Sequence, residues 1–231
     1  MSQVVTFKEE DKYSLITLDD GKVNAVSFAM LEQLNAALDQ AEAAGKVVVI
    51  AGRPGKFSAG FDLSVMGQGG DKLLELVGSG AQLARRFLEF PTPVVLAVTG
   101  HALAMGAILL MTADYRIGTA GDYKLGLNEV AIGMTMPCFG VEIARARLDP
   151  AHFELSVSCA QLYDADGAVE AGYLDEAVDV DQLMSRSIAM AEQLAALDMA
   201  AHKQTKARVR APLFKALDEA RVTDAAAGGG L

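Results

Sequence analysis

Residues 126–134, GLNEVAIGM, place one carboxylate, Glu129, among Leu127, Val130, Ile132 and Met134. An ionised carboxylate leaves water at a substantial cost unless something compensates. In such surroundings its proton affinity rises and its anion becomes a poorly hydrated base, suited to taking a proton from carbon. The plainer alternative is that Glu129 caps a turn beside Asn128 or pairs with a cation. Two further stretches carry chemistry in the backbone itself. FSAGFDL, 57–63, follows the apolar run VVVIAG, and GHALAMGA, 100–107, follows VVLAVTG. Each turn offers backbone N–H groups at the start of a helix, where they are unpaired and the helix dipole is positive. Two such ends aimed at one point would hold an anion, or the oxyanion that forms on a reacting carbonyl. Equally, their small residues would simply let two tight turns pack.

The elements that must carry these residues follow from periodicity. VVTFKEEDKYSLITLDD reads as two short strands around a charged turn. Ser27 is the expected N-cap of a helix over FAMLEQLNAALDQAEAAG, with Met30, Leu31, Leu34 and Leu38 at helical spacing and Gly45 as its stop. KVVVIAG and PTPVVLAVTG are the unbroken apolar runs of strands covered on both faces. DYRIGTA is another strand, and YKLGLNEVAIG a short strand and turn. RPGKFSAGFDLSVMGQGGD reads as an irregular glycine-rich loop, KLLELVGSGAQLARRFLEF as a helix, and HALAMGAILLMTA as a turn entering a helix. From Cys138 onward the pattern is mostly helical. It ends in a long helix with an expected kink at Pro212 and a frayed tail over DAAAGGGL, 224–231. Strands that alternate with helices and then give way to them predict one α/β domain. Its core is expected over 1–195, with 196–231 a helical part of the same domain and an oligomer contact.

Other readings fall away. The chain has 231 residues and a net charge of −10, against the basic footprint of a general nucleic-acid binder. Cys138 and Cys159 form no disulfide framework or zinc spacing, and His101, His152 and His202 share no metal-ligand spacing; no metal is expected. The N-terminus lacks the regions of a signal peptide, and no uncharged apolar stretch reaches the roughly 18 residues of a membrane span. A cytoplasmic protein is expected. GRPGKFS misses the phosphate-loop spacing, GSGAQL follows no strand as a dinucleotide fingerprint would, and no G-x-S-x-G elbow occurs. HKQTKARVR, with Lys203, Lys206, Arg208 and Arg210, reads as a solvated helix face.

Taken in order, NAVSFAMLEQLNAALDQ, KFSAGFDL, PTPVVLAVTGHALAMGA, ADYRIG and LGLNEVAIGM resemble the crotonase (enoyl-CoA hydratase/isomerase) family over most of the chain. The resemblance implies an α/β fold, a spiral of ββα units with a helical C-terminal region, assembled as a homotrimer or dimer of trimers. It implies an acyl-CoA thioester as partner, with coenzyme A part of the substrate and no separate cofactor, and an enolate-like intermediate held by two backbone N–H groups. Carried onto this chain, the donors are the N–H groups of Phe61 and Met105, with Gly106 supporting the second turn. Met105 stands in a triplet that is glycine-rich in the family, which narrows the backbone's options and adds bulk near the thioester. Lys22, Ala59, Gly60 and Asp62 fall along the coenzyme A. Met66, Met134, Met136 and Phe139 are candidates for an apolar acyl tunnel; Leu73 reads as core, and for Met66 both readings stand. Glu129 becomes the acid/base. Many hydratases of the family carry a second glutamate where this chain has Ile108. One base suffices to take a proton from C2 and return it at C4 through a dienolate, so the likeness is greatest to the 3,2-trans-enoyl-CoA isomerase branch. A hydratase and a non-catalytic acyl-CoA-binding protein are the alternatives.

Overall fold

The apolar runs that look buried on both faces are the centre of the molecule. In a computed structural model, which describes residues 2–227, the chain opens with β1 (Val5–Glu9) and β2 (Tyr13–Leu18), an antiparallel hairpin. Then comes α1 (Phe28–Ala44), where the Ser27 hydroxyl accepts the Met30 N–H at 3.2 Å and Met30, Leu31, Leu34 and Leu38 are buried. Three units of similar build follow. The first is β3 (Val47–Ala51), β4 (Gly55–Ser58), the short α2 (Leu63–Met66) and α3 (Gly70–Glu89). The second is β5 (Val94–Val98), β6 (Gly100–Leu103) and α4 (Met105–Thr112), and the third β7 (Tyr115–Thr119), β8 (Leu125–Gly126) and α5 (Cys138–Arg147). The remainder is α6 (Pro150–Val157), α7 (Ala165–Ala171), β9 (Glu176–Val178), α8 (Leu183–Leu194) and α9 (Met199–Ala227).

Each repeated unit gives one strand to a large sheet, one to a small sheet, and a helix. The large sheet runs β1-β2-β3-β5-β7-β9, parallel apart from its first pair, and the small sheet runs β4-β6-β8, all parallel. Every residue of β3 and β5 is buried. On one face Val47, Val49, Val95 and Ala97 meet Leu183, Met190 and Ala191 of α8. On the other Val48, Ile50, Leu96 and Val98 join the main core with α1, α3, α4 and α5. That two-sided burial is why these strands show no alternation. No helix among the described residues is long and apolar enough to cross a membrane.

Several expectations change. The segment expected to be irregular holds β4 and α2, the turn before α4 holds β6, and β9 interrupts the helical C-terminal part. All three strands have four residues or fewer, too short for periodicity to register. The charge run is not a solvated face throughout. Lys203 and Arg208 are exposed, but Lys206 is 8 % exposed, its Nζ 2.6 Å from Asp114 Oδ2, and Arg210 Nη2 lies 2.9 Å from Asp114 Oδ1. A run of like charges cannot reveal from sequence the single aspartate that draws two of its members inward.

The tail also differs. α9 continues through Pro212 to Ala227, and Asp224 accepts the N–H groups of Cys138 (2.8 Å) and Phe139 (3.1 Å). It thereby caps α5, whose own N-cap, Pro137, supplies no side-chain bond. Residues 228–231 of the expected frayed tail lie outside the described residues.

Asp114→Asn leaves the buried Lys206 and the half-buried Arg210 without their counter-charge and is expected to cost about 3–5 kcal/mol. Urea unfolding reads this directly; a midpoint equal to that of the parent would mean that the two cations reach water in solution.

Candidate active site

The small sheet decides where the chemistry can sit. β4 pairs with β6 through Gly55↔Gly100 and Ser58↔Ala102, and β6 with β8 through Ala102↔Leu125 and Leu103↔Gly126. All three are parallel, so their carboxyl ends lie at one edge, where ligands of parallel sheets bind. β4 runs out into Ala59-Gly60-Phe61, β6 into Ala104-Met105-Gly106, and β8 into Leu127-Asn128-Glu129. A further bond from the Ala104 N–H to the Gly126 carbonyl, 3.1 Å, ties the second end to the third. The first end lies directly on the second. Gly60 has φ 92°, and a Cβ built there would stand 2.7 Å from Ala104 Cβ and 3.3 Å from the Met105 nitrogen.

Hydrogen bonding leaves two donors free. The Gly60 carbonyl accepts the Val26 N–H (2.8 Å) and the Asp62 N–H reaches the Val26 carbonyl (3.3 Å), so the intervening Phe61 N–H points to the opposite side. Met105 opens α4, where no intrahelical acceptor exists. Among the described residues neither N–H has a backbone acceptor outside these elements. Ala104 takes φ 50° and ψ −124°, a region that a side chain disfavours; the turn is held despite it. Met105 is 0 % exposed. Its side chain turns away to α3, where a Cβ on Gly80 would collide with the Phe61 ring and stand 3.5 Å from Met105 Cε. Gly80, part of the rejected GSGAQL stretch, is the residue that sequence reasoning misses: it makes room for the side chains of both donor residues. The bulk of Met105 is thus spent on packing.

Glu129 is 6 % exposed, and its Oε2 is buried with no partner. Its backbone closes the following turn, the carbonyl accepting the N–H groups of Ile132 (3.1 Å) and Met134 (2.9 Å). The side chain makes no cap bond, and among the described residues it joins no ion pair. Burial pushes its proton affinity up to about 7 from the ordinary 4.5, while the facing N–H groups of Glu129 itself and Asn128 pull it back. Ile108 is 1 % exposed. Its Cδ1 and the Met136 sulfur would each stand 3.1 Å from a Cβ on Gly140 of α5. The place of a second carboxylate is therefore filled by apolar packing.

The remaining candidates divide. Ala59 is exposed and donates to the Val23 carbonyl (3.0 Å), next to the exposed Lys22. Asp62 Oδ1 accepts the Ser64 N–H (2.9 Å) and hydroxyl (2.7 Å), capping α2. The loop holding Lys22 is fixed by Asn24, a residue the sequence does not single out. Its Nδ2 donates to the carbonyls of Leu18 (2.9 Å), Lys56 (3.2 Å) and Phe57 (3.1 Å). Met66 and Leu73 are buried in the main core, Met136 is buried and Met134 half-buried. Phe139 lines a cavity of about 350 Å³ with Leu74, Val77, Gly78, Ala81 and Leu217, between α3, α5 and α9; Met66, Met134 and Met136 do not.

Known proteins resemble this chain in sequence and fold. The family model described as Enoyl-CoA hydratase/isomerase matches residues 9–227. A Bacillus subtilis protein named probable enoyl-CoA hydratase is 36% identical over 125 residues, 52% of this chain and 48% of its own length. Human mitochondrial enoyl-CoA delta isomerase 1 is 28% identical over 193 residues, 81% of this chain and 64% of its own. The chain thus matches between about half and two thirds of the length of these relatives. The crystal structure of an enoyl-CoA hydratase/isomerase family protein from Pseudomonas syringae superposes with a TM-score of 0.94 at 46% identity, covering 96% of both chains.

The burial of Glu129 has a measurable cost. Its carboxyl titrates near 7 folded against 4.5 unperturbed, so between those values the folded chain holds the extra proton and stability falls as pH rises. Above pH 7 the full cost, on the order of 3 kcal/mol, is present. Glu129→Gln is expected to raise the unfolding free energy by up to that amount at pH 8 and to change it little at pH 4. Equal urea midpoints at pH 8 would show that the carboxylate is hydrated.

Proposed function

The chain belongs to the enoyl-CoA hydratase/isomerase family, and we propose that it moves a carbon–carbon double bond, converting a 3-enoyl-CoA to the 2-trans-enoyl-CoA with Glu129 as its one acid/base. The observation that carries this reading is the pairing of a lone buried carboxylate with an apolar Ile108 where a second would stand. The thioester oxygen is placed at the N–H groups of Phe61 and Met105. Charge moving onto that oxygen as C2 loses its proton meets donors already fixed by the sheet, each worth about 3–4 kcal/mol in the transition state. Glu129 takes the proton from C2 and, now neutral, returns it at C4. A proton affinity near 7 suits both halves of that transfer. Addition of water would require a second group to hold and activate it, and Ile108 offers none. The name of the human relative supports the isomerase reading; that of the Bacillus relative favours hydration.

The coenzyme A portion is assigned to the exposed edge at Lys22 and Ala59, and the acyl tail to the cavity lined by Phe139 and Gly78. α3 links the cavity to the two donor residues, since Gly80 receives the side chains of Phe61 and Met105 while Val77, Gly78 and Ala81 face the cavity.

The deciding experiment offers a 3-enoyl-CoA and, separately, a 2-trans-enoyl-CoA, with products separated by chromatography. Conversion of the first is expected, reduced about 10³-fold in Glu129→Gln. Hydration of the second at a comparable rate would make the protein a hydratase, and binding without any product a non-catalytic acyl-CoA protein. Gly78→Leu is expected to raise KM for long acyl chains several-fold more than for a four-carbon chain; equal effects would remove the tail from this cavity.

A further inference from the structure

β8, the strand that leads to Glu129, has only two residues. Its pairing with β6 is correspondingly sparse. The Ala102 N–H donates to the Lys124 carbonyl and the Ala104 N–H to the Gly126 carbonyl, both at 3.1 Å. In an extended chain the N–H and carbonyl of one residue point to the same side, so the Lys124 N–H also faces β6. Among the described residues no backbone carbonyl outside the strands takes that N–H. The Nδ1 atom of His101, in β6, accepts it at 3.0 Å. A side chain thus supplies a rung that the backbone omits, at the entry to the shortest strand of the small sheet.

The half-buried ring is held for this role. His101 stands opposite Lys56 of β4 in the ladder, and its ring meets that of Tyr123 edge to face, the centroids 5.4 Å apart and the planes at 86°. Tyr123 is fixed in turn, since a Cβ on Gly121 would stand 2.8 Å from its Cε2 and one on Gly55 3.9 Å from its Cε1. Only a ring nitrogen without a proton can accept, so the bond requires a neutral His101 with its proton on Nε2. The imidazolium has a proton on both nitrogens and would meet the Lys124 N–H donor to donor. The titratable groups around the ring are Lys56 from β4 and Asp122, Tyr123 and Lys124 from the segment before β8. Partial burial and then the Lys56 charge hold the proton affinity of His101 below its ordinary 6.5, with Lys124 acting in the same direction and Asp122 against it.

We propose that His101 is a positioning residue for Glu129, its neutral ring tying the entry of β8 to β6 and its protonation untying it. This rests on Glu129 being the acid/base proposed above. The two strands lead to the two halves of the site, β6 to the Met105 donor and β8 to the carboxylate. With the rung closed, Lys124 is bound to β6 through both its N–H and its carbonyl. With it open, Lys124 keeps only the bond from Ala102, and the segment carrying the base can drift from the donor that faces the same thioester. Because the folded midpoint lies below that of a free histidine, the tie contributes in full above pH 6.5 and is lost as pH falls through the folded midpoint.

Nuclear magnetic resonance of ¹⁵N-labelled protein follows the ring and the amide separately. At pH 8 the His101 ring is expected as the Nε2–H tautomer, with the Lys124 amide proton shifted downfield by its nitrogen acceptor. On acidification the two should move together, with one midpoint below that of a free histidine. His101→Asn puts an oxygen that does not titrate near the Nδ1 position, and should keep the Lys124 resonance downfield and level from pH 8 to pH 5. His101→Leu should lose the downfield shift at every pH and lower kcat at pH 8 several-fold with KM unchanged; His101→Asn should recover most of that loss. A Lys124 resonance that ignores the His101 midpoint overturns the proposal, and so does an Asn variant no more active than the Leu variant. Should His101→Leu fail to fold, the titrations of the parent and of His101→Asn decide. Should the parent turn over neither enoyl-CoA, the activity reading fails, and the same titrations still decide whether His101 ties β8.

Discussion

The constraint on which the rest depends is a ladder of three very short parallel strands. β4, β6 and β8 contribute four, four and two residues, too few to be stable alone. They exist because each is tethered within a few residues to a five-residue, largely buried strand of the large sheet, which sets their direction. Parallel pairing then brings three chain ends to one edge through the backbone. The two free N–H groups and the carboxylate are neighbours through the backbone. Substitution at Met105 therefore alters packing while leaving a donor in place.

The site is built at the expense of stability in two ways. Ala104 occupies a backbone region that a side chain disfavours, and Glu129 is kept from water with an oxygen unpaired. Both would be relieved by ordinary substitutions, and both stand where the proposed reaction receives charge or moves a proton. The opposite end of the large sheet is arranged differently. There Asp114 joins Lys206 and Arg210, and Asp175 holds Arg116 in a bidentate pair. Buried charge at that end is matched by a partner; at the carboxyl edge it is left unmatched.

Much of this is legible in the sequence. The long strands announce themselves as apolar runs, and α1 by Ser27, its spacing and Gly45; Glu129 is buried as its apolar company predicts, although Val130 and Ile132 of that run are exposed. β4, β6 and β9 escape because four residues or fewer are too few to show a period. Gly80 and Asn24 escape for a related reason. One acts by lacking a side chain and the other by bonding main-chain carbonyls, and neither leaves a periodic mark. Lys206 and Arg210 mislead because their partner is 92 and 96 positions away.

The cap that Asp224 places on α5 has a bearing on how the molecule is made. Every group assigned to the reacting atoms lies between Phe61 and Glu129, and so is synthesised roughly a hundred residues before Asp224, several seconds at about 5–20 residues per second. The last helix brings both the cap for α5 and Leu217, one wall of the cavity beside it. The reactive edge is thus synthesised early, while the apolar hollow next to it stays open until the final turns of α9 arrive. Until then Phe139 and its apolar neighbours on α3 have no α9 to close against.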